Sequence, residues 1–304
     1  MQAAEGKYYL FRLAIGHDEN IEIEESDYIS LSKSREVLFE ITSLEEKFFA
    51  ICEHYREIEE FIFKSSLTNM VFGLNSVPEI HSIGAQFGRL TGSFLSSVRL
   101  YQDALLSHIS AISENTVPQS DMKAHLSEEY DSHLAYRVME AIRNHAQHRA
   151  FPVHSTKFGG KWNKEFTEMS FYSEFFFEVS RIEDDPKFKK SIKTELMDIA
   201  GNFDLKLGVR NYFGCICRIH RQAQDLVKPF QEKAVQAFTE ARTKWASAHS
   251  DNEFLAVAAC KLHDGILVDG YKKVHISPQI EEYRESLSKK TRHMQNMEIR
   301  KIVF

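Results

Sequence analysis

Two stretches of this chain repeat apolar residues every three or four positions over many turns. Leu38, Ile41, Leu44, Phe48, Ile51, Tyr55, Ile58 and Ile62 form one; Ile80, Ile83, Phe87, Leu90, Phe94, Val98, Tyr101, Leu105, Ile109 and Ile112 form the other. Such spacing keeps every apolar side chain on one face of an α-helix, and a stripe that long must be covered by another helix lying along it. The pattern predicts a helix over about 32–70 and a second from after Pro78 to before Pro118, packed lengthwise. A third helix is expected over about 127–150, closed by Pro152, which disfavours helical conformation at Phe151.

The remaining segments decorate this helical frame. Residues 7–30 are rich in aromatic and β-branched residues and are broken at Gly16-His17-Asp18-Glu19-Asn20, the pattern of a hairpin. The run FTEMSFYSEFFFEV fits neither period well. Helical spacing returns over 187–200 and 204–248, where Pro229 predicts a kink. From 253 onward the chain reads as a helix, a short strand at KKVHI, a charged helix after Pro278 and a β-branched tail. The expected fold is mainly α: an antiparallel helical bundle with long helices and small β decorations. Its parts are a hairpin-like segment at 1–31, a helical core at 32–152 and a mainly helical remainder at 153–304, together one compact domain.

With 43% hydrophobic residues and 23 Phe, the chain has ample core and is not a disordered segment. Its formal net charge of -6 gives no overall positive field, so contact with nucleic acid requires a local basic patch. Lys187, Lys189, Lys190 and Lys193 have acidic neighbours and read as a solvated face. No apolar run approaches a membrane span, the first residues lack a signal-peptide cleavage pattern, and the four cysteines are too scattered for a disulfide framework. A cytoplasmic protein with no membrane partner is expected.

One short stretch carries chemistry. RNHAQHRAFPVH, residues 143–154, holds three histidines and two arginines at the end of the third helix. At 100° per residue, Glu140, Asn144 and His148 share a polar stripe beside Arg143, whereas His145 falls on the apolar stripe with Val138, Ala141 and Ile142. His148 lies near the helix C-terminus, where the macrodipole favours imidazolium. Other Arg-to-His steps of similar length cross a breaker: Arg12 to His17 crosses Gly16, and Arg149 to His154 crosses Pro152.

An Arg, then a polar residue, then a His a few positions on, all on one helix of a bundle, resembles the motif of the HEPN superfamily, and the phrase YRVMEAIRNHAQHRAFPV is similar to the motif helix of its bacterial members. The resemblance covers about residues 32–152. It implies metal-independent RNA cleavage, with no cofactor, at a composite site formed by two motifs across a homodimer. Arg143, Asn144 and His148 would be catalytic, with Arg149 and His154 contacting substrate. It also implies a toxin or defence effector, with an antitoxin or other regulatory protein as partner. Imidazoles would move the ribose 2′-hydroxyl and leaving-group protons while the guanidinium holds the phosphate.

Three plainer readings stand beside it. Arg143 could pair with Glu140 and His148 could cap the helix, leaving an inactive interaction module. His145 and His148, joined by His133 or His154, lack a carboxylate at a recognised metal-ligand spacing, and no H-E-x-x-H is present. Cys215, Cys217, Cys260 and His263 are better read as buried residues than as ligands, because a C-x-C on a helix points its sulfurs apart.

Overall fold

A computed structural model describes residues 6–14, 19–74, 76–113, 116–148, 152–182, 188–197, 202–249 and 253–300. The fold is mainly α. Its helices are α1 (Glu25–Phe72), α2 (Val77–Ser113), α3 (Thr116–Ser132), α4 (Leu134–His148), α5 (Lys190–Met197), α6 (Leu205–His249) and α7 (Gln279–Thr291). The strands are β1 (Lys7–Arg12), β2 (Asn20–Ile23), β3 (Ser155–Trp162), β4 (Met169–Glu178), β5 (Asn202–Asp204), β6 (Val257–His263), β7 (Ile266–Leu267) and β8 (Val274–His275). The chain divides into two compact units, and α1, α2, α3, α6 and, by its last residue, α7 contribute residues to both. No helix among the described residues is long and apolar enough to cross a membrane.

The first unit comprises 1–46, 105–119 and 223–290. Its antiparallel sheet has the order β2-β1-β6-β7, with β8 also pairing β6. Leu10, Ile23, Val257, Ala259 and Val274 from the sheet share a core with Leu31 and Leu38 of α1 and with Phe238 and Trp245 of α6. The run 257–262, expected as part of a helix, is instead the central strand β6, buried at all six positions, Lys261 included. A short run buried on both faces has no alternation, so periodicity alone cannot separate it from a helix.

The second unit comprises 47–104, 120–222 and 291–304. Here α1 runs antiparallel to α2, with Phe48 beside Tyr101 and Phe61 beside Phe87. It is also antiparallel to α6, where Phe48 stacks on His220 at 3.7 Å and Tyr55 on Phe213 at 4.0 Å. Each such ring pair contributes about 0.5–1.5 kcal/mol beyond the area it buries. A three-stranded antiparallel sheet, β3-β4-β5, lies in the same unit. The ambiguous FTEMSFYSEFFFEV contains β4, whose Ser173, Phe175 and Phe177 alternate inward and bring Phe175 onto Phe87 at 3.9 Å.

The single helix expected over 127–150 is two, α3 and α4, meeting at His133. Arg137 donates to the carbonyls of Tyr130 at 2.9 Å and Asp131 at 2.6 Å, satisfying acceptors at the end of α3, while the His133 carbonyl accepts the amides of Tyr136 and Arg137 in the first turn of α4. Local capping therefore wins over the continuous apolar spacing. Beyond the break, α4 lies along α6: Tyr136 meets Tyr212 edge-on at 5.2 Å. Gly208 makes the close approach possible, because a Cβ there would sit 2.5 Å from the Phe203 ring and 3.0 Å from Met139 Sδ.

Candidate functional site

The motif residues sit on α4, in the second unit. Arg143 is only 8% exposed. Its Nη2 donates to Asn144 Oδ1 at 2.7 Å and lies 3.5 Å from Glu140 Oε2, while its Nε is buried without a hydrogen-bond partner. Glu140 is fixed from behind: the hydroxyl of Tyr212 on α6 donates to its carboxylate. Burial first, and the Glu140 charge next, push the Tyr212 phenol well above its ordinary range, so it remains a donor. A chain of contacts thus runs from the core, Tyr212 to Glu140 to Arg143 to Asn144.

Arg143 and Asn144 open into a cavity of about 410 Å³ whose walls come from α2, α3, α4, α5 and Lys189. Arg99, Arg137 and Lys189 also line it, as do the carboxylates of Asp103 and Glu140. Arg99 pairs with Asp103 at 2.7 Å, and Arg137 with Glu195. Lys189 lies 5.4 Å from the centre of the Tyr130 ring and donates to its hydroxyl at 3.2 Å. Tyr136, 5% exposed, accepts from the Gln102 amide at 2.6 Å.

The other motif positions fall elsewhere. His145 is buried on the apolar side, as its place on the stripe predicts, edge-on to Phe177 at 5.8 Å and Phe188 at 6.3 Å. His154 does not line the cavity; the Glu178 amide donates to its Nδ1 at 3.1 Å and its ring lies 4.7 Å from Phe177. The side chain of His148 and the whole of Arg149 lie outside the described residues. Arg143 and Asn144 are therefore brought together with the basic wall, and His154 is held against the β3-β4 sheet.

A second polar cluster escaped the sequence. Glu129, His133 and Cys215 bring one donor atom each within 4.8 Å of one another. Arg218 fills the space between them: it holds both Glu129 oxygens at 2.8 and 3.0 Å, approaches His133 Nε2 at 3.0 Å and Cys215 Sγ at 3.2 Å, and reaches Glu298 at 3.2 Å. Burial pushes the Cys215 thiol up to about 12, so it stays neutral beside the guanidinium. The cation of this cluster is the protein's own arginine, and a metal ion would have to displace it. The i, i+4 pair Glu129–His133 and the i, i+3 pair Cys215–Arg218 are visible in sequence; their meeting is not. All four cysteines are buried and free.

No family model matches the chain, and no curated protein or solved structure matches it either.

Proposed function

We propose that the chain is a metal-independent endoribonuclease of the HEPN type, acting at the α4 cavity. The observation that carries this reading is the buried, incompletely satisfied guanidinium of Arg143 on a cavity lined by further cations, five residues before His148 on the same helix. A phosphodiester seated there would face the Arg143 guanidinium, and the charge that builds on its non-bridging oxygens would be stabilised by a cation already desolvated and held in place. Asn144, exposed and bonded to Arg143, orients the guanidinium. His148 would accept the 2′-hydroxyl proton, and its counterpart in a second copy would protonate the leaving 5′-oxygen. The products would be a 2′,3′-cyclic phosphate and a free 5′-hydroxyl.

One observation favours an inactive interaction module: Glu140 already neutralises Arg143 from 3.5 Å. The two readings separate in a cleavage assay with single-stranded RNA in EDTA. The ribonuclease gives cyclic-phosphate ends, loses activity in Arg143→Ala and His148→Ala, and keeps it in His145→Ala, which lowers stability alone. Strict dependence on a divalent ion, or a folded His148→Ala protein with full activity, would overturn the reading.

A further inference from the structure

The α4 cavity is larger than one phosphate needs. We propose that it binds a whole nucleoside monophosphate unit, the phosphate drawn between Arg143 and Lys189 and the base laid on the wall of Tyr130, Leu126 and Ile192. The assignment of that unit to an RNA strand rests on the ribonuclease reading; the pocket itself does not.

Volume, charge and surface chemistry argue for this ligand class. At about 410 Å³ the cavity lies in the range of small-molecule clefts, about 300–1,000 Å³. Its cations are not equally satisfied. Arg99 and Arg137 have carboxylate partners at hydrogen-bond distance, but Arg143 has a neutral acceptor in Asn144, a looser contact to Glu140 and an Nε–H without a partner. Lys189 is exposed, and among the described residues its partner is the neutral Tyr130 phenol. A dianionic phosphate between Arg143 and Lys189 would satisfy both.

The remaining wall asks for something flat and apolar. Tyr130 is half-buried, its edge fixed against Tyr136 at 5.7 Å and one side of its ring near the Lys189 ammonium. That ammonium rides on a flexible four-carbon stem, so it can leave the ring for a phosphate and yield the ring to a base. Stacking of a base on an aromatic side chain is worth about 1–3 kcal/mol. Leu126 and Ile192 extend the surface. Inorganic phosphate would leave this wall uncovered, and a nucleoside would leave the two cations unmatched.

The test is calorimetric titration of the full chain with adenosine 3′-monophosphate, adenosine and inorganic phosphate in turn. The nucleotide is expected to bind once per chain, at least about tenfold tighter than either fragment, with Lys189→Glu weakening it by about tenfold at an unchanged melting temperature. Equal affinity for nucleotide and inorganic phosphate would overturn the proposal, as would wild-type nucleotide binding by Lys189→Glu. Lys189-dependent nucleotide binding in a protein that cleaves no RNA would overturn the ribonuclease reading and leave the pocket standing. Cleavage with binding indifferent to Lys189 would do the reverse.

Discussion

Arg143 shows how one side chain can be held structurally and still keep a donor without a partner. Glu140 fixes its position, yet Glu140 is itself anchored by the buried Tyr212 hydroxyl rather than by burial alone. Tyr212→Phe should leave the ring packing intact and remove one charge-assisted hydrogen bond, lowering stability by about 1.5–3 kcal/mol in urea denaturation. An unchanged midpoint would mean that Glu140 has no need of this donor. The Glu140–Arg143 pair was legible from i, i+3 spacing, but Tyr212 lies 72 residues from its acceptor and nothing local announces the contact. The buried thiols give a pH signature. Burial lifts Cys215 up to about 12 and Cys260 up to about 11 from an ordinary value of 9.0, so folding favours the protonated thiol. The stability this contributes is fully present below pH 9 and is lost as pH rises through 11 and 12. Thermal melts at increasing alkaline pH should show the loss, and Cys260→Ala should flatten its lower part. Alkylation of native Cys215 at pH 8 as fast as in the unfolded chain would contradict this protection.

Among the elements, those with long one-faced stripes were readable and those fixed by ends or by two-sided burial were not. The stripe of α1 predicts its burial residue by residue from Leu38 to Ile62, and that of α2 does so from Phe94 to Ile112, with Leu90 half-buried before it. The α3–α4 break depends on Arg137 reaching back to carbonyls, and β6 depends on neighbours more than 200 residues away in sequence; neither leaves a period. α1 also starts before its stripe, with Glu25 and Asp27 in the first turn, where negative charge suits the helix N-terminus. The start of α6 is set by Asp204, whose Oδ1 accepts the amides of Lys206 at 2.8 Å and Leu207 at 3.2 Å. Asp204→Ala should cost about 1 kcal/mol by chemical denaturation, and Asp204→Asn much less, because Asn caps nearly as well. Equal losses in both variants would point to the charge rather than the cap.

At the scale of the whole molecule, the ribonuclease reading requires two copies. Each motif helix supplies one arginine and one terminal histidine, so a complete acid–base pair needs a second chain. Two basic clusters brought together repel unless an anion lies between them, so phosphate should shift light-scattering mass towards a dimer at micromolar protein. A protein that cleaves RNA while remaining monomeric would rule out the composite site. The α4 cavity was legible only through its motif: Arg143 and Asn144 are one turn of sequence, whereas Tyr130, Lys189 and Gln102 reach it from three other segments.

Strand β1 pairs with β2 on one side and, on the other, with β6, whose first residue lies about 245 positions beyond Arg12. On a ribosome adding about 5–20 residues per second, Lys7–Arg12 would wait roughly 10–50 s for that partner to be made. Through that interval its second edge has no mate in its own chain, and an unpaired strand edge is a template for a neighbouring chain. The yield of this protein should therefore depend on how crowded its polysomes are, with slower initiation favouring correctly closed sheets.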